Sequence, residues 1–170
     1  VGGGASPVPF DPAFNTGLRT ARRMGLEAMT VSPDGQQLYV ASLIATDGEL
    51  LFVGNSQGGI IGGALSAVAQ DWTRVVLGVP GVAYHVLLNR SIDWDEFKVI
   101  YDAAYTDPID RQLGLLLIQS LWDRGENAGY VQHLVDDPYP DTPKKNVAIF
   151  EAYSDQQVAN VQTEVLARTL

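Results

Sequence analysis

The apolar positions change rhythm along the chain, and the change predicts two kinds of structure. Two short β-prone runs, AMTVS (28–32) and QLYVASL (37–43), flank Pro33-Asp34-Gly35. Proline presets the φ of a turn and glycine supplies a positive φ, so these residues predict a β-hairpin. From residue 50 the pattern becomes strand and helix in alternation. ELLFVGN (49–55), TRVVLGVPG (73–81) and NVAIFEAY (146–153) are apolar runs of strand length. Between and after them, GGIIGGALSAVAQ (58–70), WDEFKVIYDAAY (94–105), IDRQLGLLLIQSLWDRG (109–125) and DQQVANVQTEVLARTL (155–170) carry helical spacing. Apolar strands alternating with helices predict an α/β fold with a mostly parallel sheet covered on both faces. Residues 1–17 are rich in Gly, Pro, Ala and Asn and read as loop, and LRTARRMGLEA (18–28) reads as a short helix ending near Gly25. The expected organisation is an N-terminal loop and hairpin over 1–49 and an α/β core over 50–170, in one compact domain.

Composition narrows the function classes. An apolar fraction of 46% and a charged fraction of 18% describe an ordinary globular chain. The formal charge of −9 repels phosphate backbones, so nucleic acid is not an expected partner. With no cysteine, disulfides, thiolate metal sites and a cysteine nucleophile are excluded. No run reaches the length of a membrane span, and VGGGASPVPFDPAF has no basic region followed by an apolar core, so no signal peptide is expected there.

The chemistry is concentrated in Gly54-Asn55-Ser56-Gln57-Gly58-Gly59. This is G-x-S-x-G between a predicted strand and a predicted helix. The glycines allow a turn tight enough to lift a strained serine above the end of the sheet. Ser56 is the candidate nucleophile. The backbone N–H of Gln57 is the candidate oxyanion donor, helped by the positive end of the following helix. A turn glycine pattern that merely packs closely is the plainer alternative. Acidic patches at Asp136-Asp137, Asp141 and Asp93-Asp95-Glu96 read as solvated loops, without the spacing of a calcium loop. No metal or cofactor is expected. Trp72, Trp94 and Trp122 read as core and cap packing.

Three segments resemble the core of an α/β-hydrolase, closest to secreted bacterial lipase- and esterase-like proteins. They are GNSQGGIIGGAL, VVLGVPGVAYHVLLNRSIDWDEF and GYVQHLVDDPYPDTPKKNVAIFEAYSDQQVANVQTEVLART, together spanning about two thirds of the chain. The resemblance implies a serine ester hydrolase acting on a small-molecule ester through an acyl-enzyme. It also implies an acid in the loop after NVAIFEAY, where such proteins often read G-D-x-x-V and this one has Ser154-Asp155-Gln156-Gln157-Val158. Asp155 is therefore the candidate acid, with capping of the closing helix as its plainer role. In that family the histidine follows the acid, and no histidine follows Asp155 here. The two histidines present, His85 and His133, are the candidate replacement bases. The resemblance is thus to a truncated hydrolase core, without the loop that usually supplies a second oxyanion N–H. A sheet shortened in this way exposes edges and apolar helix faces, and self-association into a homo-oligomer is expected to cover them. A remnant that has lost catalysis and only self-associates is the alternative function. Separately, GLEAMTVSPDGQQLYVA resembles one hairpin of a β-propeller blade, and no second copy of it occurs.

Overall fold

A computed structural model describes residues 28–31, 38–46 and 49–170. The leading loop, the predicted helix before residue 28 and the Pro33-Asp34-Gly35 turn lie outside the described residues.

The described strands form one five-stranded sheet in the order β1 to β5. They are β1 (Ala28–Val31), β2 (Leu38–Thr46), β3 (Glu49–Asn55), β4 (Arg74–Gly78) and β5 (Asn146–Phe150). β1 and β2 pair antiparallel, as the flanking runs predict, with Val31 opposite Leu38. β2 continues to Thr46 and pairs antiparallel with β3, Thr46 opposite Glu49. β3–β4 and β4–β5 are parallel. The sheet is therefore mixed rather than mostly parallel, with a three-stranded parallel part. The three strands expected of the α/β core, β3, β4 and β5, are parallel; the hairpin strand β2 joins the same sheet beside β3, and the close connection from Thr46 to Glu49 makes that pairing antiparallel.

The helices follow the predicted alternation. The first, α1 (Gln57–Val68), packs on β3 and β4. Its buried side is made of small residues, Gly59, Gly62, Gly63, Ala64 and Ala67, with Ile60. Close approach to the sheet requires them: a Cβ on Gly62 would stand 2.5 Å from the Phe52 ring, and one on Gly59 2.7 Å from the Gly78 carbonyl oxygen. The β4–β5 connection carries α2 (Tyr84–Leu87), α3 (Asp95–Ala104) and α4 (Pro108–Trp122). α4 starts where its residues say it should. Pro108 occupies the first turn, and Asp107 Oδ1 accepts from Ile109 N at 2.7 Å. The closing helix α5 (Asn160–Thr169) begins later than residue 155, because Asp155 caps a separate turn ahead of it.

The core between sheet and helices joins Phe52, Val75, Leu77, Val82, Val131 and Leu166, with Trp72 stacked on Phe52 at 5.8 Å. Polar groups are also taken inside. Lys145 is almost completely buried and donates to the carbonyls of Ala69 and Trp72, each at 2.6 Å, just past the end of α1. Burial holds its ammonium below the usual lysine range, with Asp71 acting in the opposite direction. Among the described residues, no helix is long and apolar enough to cross a membrane.

Candidate active site

Ser56 is the residue between the end of β3 and the start of α1. Its backbone has φ 55° and ψ −122°. That is a left-handed conformation which costs an L-residue with a side chain of order 1–3 kcal/mol. The surroundings hold it there. Ser56 N donates to the Gly78 carbonyl at 2.9 Å, tying the turn to the end of β4. The Ser56 carbonyl accepts from Gly59 N at 2.8 Å and Ile60 N at 2.9 Å, which starts α1. The flanking glycines have a steric cause: a Cβ on Gly54 would lie 2.1 Å from the Gly58 carbonyl oxygen. The local geometry is thus the strained strand-to-helix turn that G-x-S-x-G predicts.

Strain gathers at this edge of the sheet. Val79 follows β4 with φ 42°, Ala83 caps the start of α2 with φ 60°, and Ser154 follows β5 with φ 60°. Each lies beyond the C-terminal end of a parallel strand, where open α/β sheets place ligands. Buried polar groups brace the β4 loop from behind. Glu126 is buried, and its carboxylate accepts from Ala83 N at 3.1 Å, Ala128 N at 2.8 Å and Gln119 Nε2 at 2.6 Å. Asn127, fully buried, donates to the carbonyls of Gly59 at 3.1 Å and Gly81 at 2.8 Å. One amide therefore joins α1 to the loop after β4.

A cavity of about 320 Å³ opens at Ser56, at the small end of the range for ligand sites. Ser56 and Gln57 form one wall with Ile60 and Val158. Tyr84, Trp94, Phe97 and Trp122 supply four aromatic rings, and Ser91, Asp93 and Gln157 supply polar atoms. Tyr84 Oη donates to Gln57 Oε1 at 3.1 Å, which fixes that side chain beside the serine. Gln57 is the first residue of α1, so its N–H has no carbonyl one turn back within the helix. Trp94 and Trp122, expected as packing, are walls of the cavity, while Trp72 is packing as expected.

The other candidates sit around the site rather than in its lining. Asp155 belongs to the loop after β5, and its Oδ1 accepts from Gln157 N and Val158 N, both at 2.9 Å. Through those bonds it positions two residues that line the cavity. His85, in α2, has Nδ1 3.1 Å from Gln119 Oε1, which also accepts from His85 N at 3.0 Å. His133 stacks on Tyr139 at 4.0 Å, with Nδ1 2.6 Å from the Asp137 carbonyl and Nε2 3.1 Å from Gln132 Nε2. Neither histidine is among the residues that line the cavity. Asp93, read from sequence only as part of a solvated patch, does line it.

Asp95, Glu96, Asp136, Asp137 and Asp141 are exposed. No group of three or more His, Asp or Glu among the described residues is arranged to hold a metal ion.

No protein-family model matches the chain, and neither curated proteins nor solved structures supply a match. Fold and site together define a mixed α/β protein with a strained serine at a strand-to-helix turn, opening on an aromatic-lined cavity.

Proposed function

We propose that the chain is a serine ester hydrolase of the α/β-hydrolase type, acting on small carboxylic esters. The observation that carries this reading is the backbone of Ser56, held at φ 55° on the edge of a cavity. Strain of this kind persists where the surroundings over-determine it, and it clusters at active sites. In this mechanism Ser56 Oγ attacks the ester carbonyl carbon and its proton passes to a base. The oxyanion is received by Gln57 N–H at the start of α1. The carbon–oxygen bond to the alcohol breaks, and the base returns the proton to the departing alcohol. Water then cleaves the acyl-enzyme by the same steps, leaving a carboxylic acid.

His85 is the better supported base. Its helix, α2, also carries Tyr84 and Leu87, both of which line the cavity. His133 has both ring nitrogens within 3.1 Å of groups in its own segment. Asp155 keeps a supporting role through the loop it caps.

The test is hydrolysis of p-nitrophenyl butyrate by wild type, Ser56→Ala, His85→Ala and His133→Ala. Activity is expected to vanish in Ser56→Ala and to fall by about 10²–10⁴-fold in His85→Ala, with His133→Ala close to wild type. Undiminished activity in Ser56→Ala overturns the reading.

A second reading, a non-catalytic chain that self-associates, is favoured by one observation. Leu113, Leu117 and Leu121 of α4 and Val99 and Ile100 of α3 are all more than half exposed. Leu113, Leu117 and Leu121 are spaced four apart and so share one face of α4, and an exposed apolar stripe of this kind marks an interaction surface. Light scattering at micromolar concentration tests it, and a clean monomer contradicts it.

A further inference from the structure

We propose that the cavity beside Ser56 receives an alkylammonium cation, so that the ester it accepts is that of an amino alcohol. The second half of this statement rests on the hydrolase reading; the first half does not.

Asp93 is the one charged side chain among the described residues that line the cavity. No lysine, arginine or histidine is among them. Asp93 Oδ1 accepts from Gln157 Nε2 at 3.2 Å, which anchors the carboxylate to the opposite loop. Two aromatic pairs line the same cavity. Trp94 and Phe97 are stacked with centroids 5.9 Å apart, and Tyr84 and Trp122 are tilted at 5.4 Å.

Aromatic faces carry negative electrostatic potential and attract cations, tryptophan most strongly. A carboxylate beside them adds to that attraction. The same arrangement works against other ligands. An anionic group meets Asp93 with no cation to offset the repulsion. A neutral acyl chain gains from the rings and from Ile60, Leu87, Leu88 and Val158 but nothing from the carboxylate. The aliphatic residues serve a neutral and a cationic ligand alike, so what favours the cation is the single carboxylate together with the four rings. The net charge of −9 draws cations toward the molecule as a whole.

The test uses butyrylcholine and its uncharged isostere, 3,3-dimethylbutyl butyrate, which replaces the quaternary nitrogen by carbon. Binding of each to the Ser56→Ala chain is followed by tryptophan fluorescence at low salt, so that hydrolysis plays no part. Butyrylcholine is expected to bind about tenfold more tightly than the isostere. Asp93→Asn, an exposed site whose change spares the core, is expected to cut that ratio about fivefold. Trp94→Ala is expected to weaken the cation and to leave the circular dichroism spectrum of wild type. Equal affinity for the two esters, or no saturable signal from either, overturns the proposal.

Turnover by wild type separates the two claims. Cation-selective binding without hydrolysis of either ester keeps the cation site and removes the hydrolase. Hydrolysis of both esters at equal rates, with no binding preference, keeps the hydrolase and removes the cation site.

Discussion

Replacing Ser56 by glycine should make the folded chain more stable while removing its proposed nucleophile. Ser56 sits at φ 55° and ψ −122°, where a Cβ collides with the backbone and glycine does not. The strain is of order 1–3 kcal/mol. Glycine returns about 0.5–1 kcal/mol of it through its greater freedom in the unfolded chain. The net gain is about 0.5–2 kcal/mol, and for a chain of this size each kcal/mol raises Tm by about 2–4 °C. Ser56→Ala is the control. It keeps the Cβ, hence the strain, and should stay within about 0.5 kcal/mol of wild type. Urea titration of the three proteins reads the difference as a shift in midpoint at unchanged slope. If Ser56→Gly is no more stable than Ser56→Ala, the turn holds no strain for glycine to release.

Other consequences concern the parts that hold the turn in place. Gly54→Ala puts a Cβ 2.1 Å from a backbone oxygen that cannot rotate away, and should cost about 3 kcal/mol in urea titration; a cost under about 1 kcal/mol contradicts the packing described. Glu126→Ala strands the N–H groups of Ala83 and Ala128 and removes one of the two acceptors of the Gln119 amide, and should cost about 3 kcal/mol in the same assay. The Asp102 carboxyl is held below the usual carboxylate range, first by its hydrogen bond from Lys98 and then by Arg111 at 3.2 Å. Its folded value lies below its unfolded value near 3.8, so its contribution is present above that pH and is lost as the pH falls through the folded value. Asp102→Asn should therefore flatten the acid limb of stability below about pH 4 and change nothing in its shape near neutrality, as read by melts at stepped pH.

Much of the alternation was legible because each segment's pattern agreed with its place. ELLFVGN, TRVVLGVPG and NVAIFEAY each contain the strand they predict, and the Gly-Gly run after Ser56 is an α-helix because only small residues fit against Phe52 and the end of β4. β2 was harder to read. Its second half, Ile44-Ala45-Thr46, has no strong alternation, yet the Asp47-Gly48 dipeptide that follows is a hairpin signal, and Thr46 does pair with Glu49.

Long-range polar burial left no local trace. Lys145, Glu126 and Asn127 look like loop residues in sequence. They are buried because carbonyls and N–H groups distant in the chain need partners. The site was legible at its serine, where the motif is contiguous, and not at its walls. The adjacent Asp93 and Trp94 meet Trp122 only through the fold of the β4–β5 connection.

On this mechanism Ser56 is an activated nucleophile. A fluorophosphonate reacts with activated serines whatever their natural ester, so mass spectrometry of the treated chain is the most direct measurement. A single phosphonyl adduct is expected on the peptide containing Ser56, absent from Ser56→Ala. An unmodified chain, or an adduct on another residue, would contradict it.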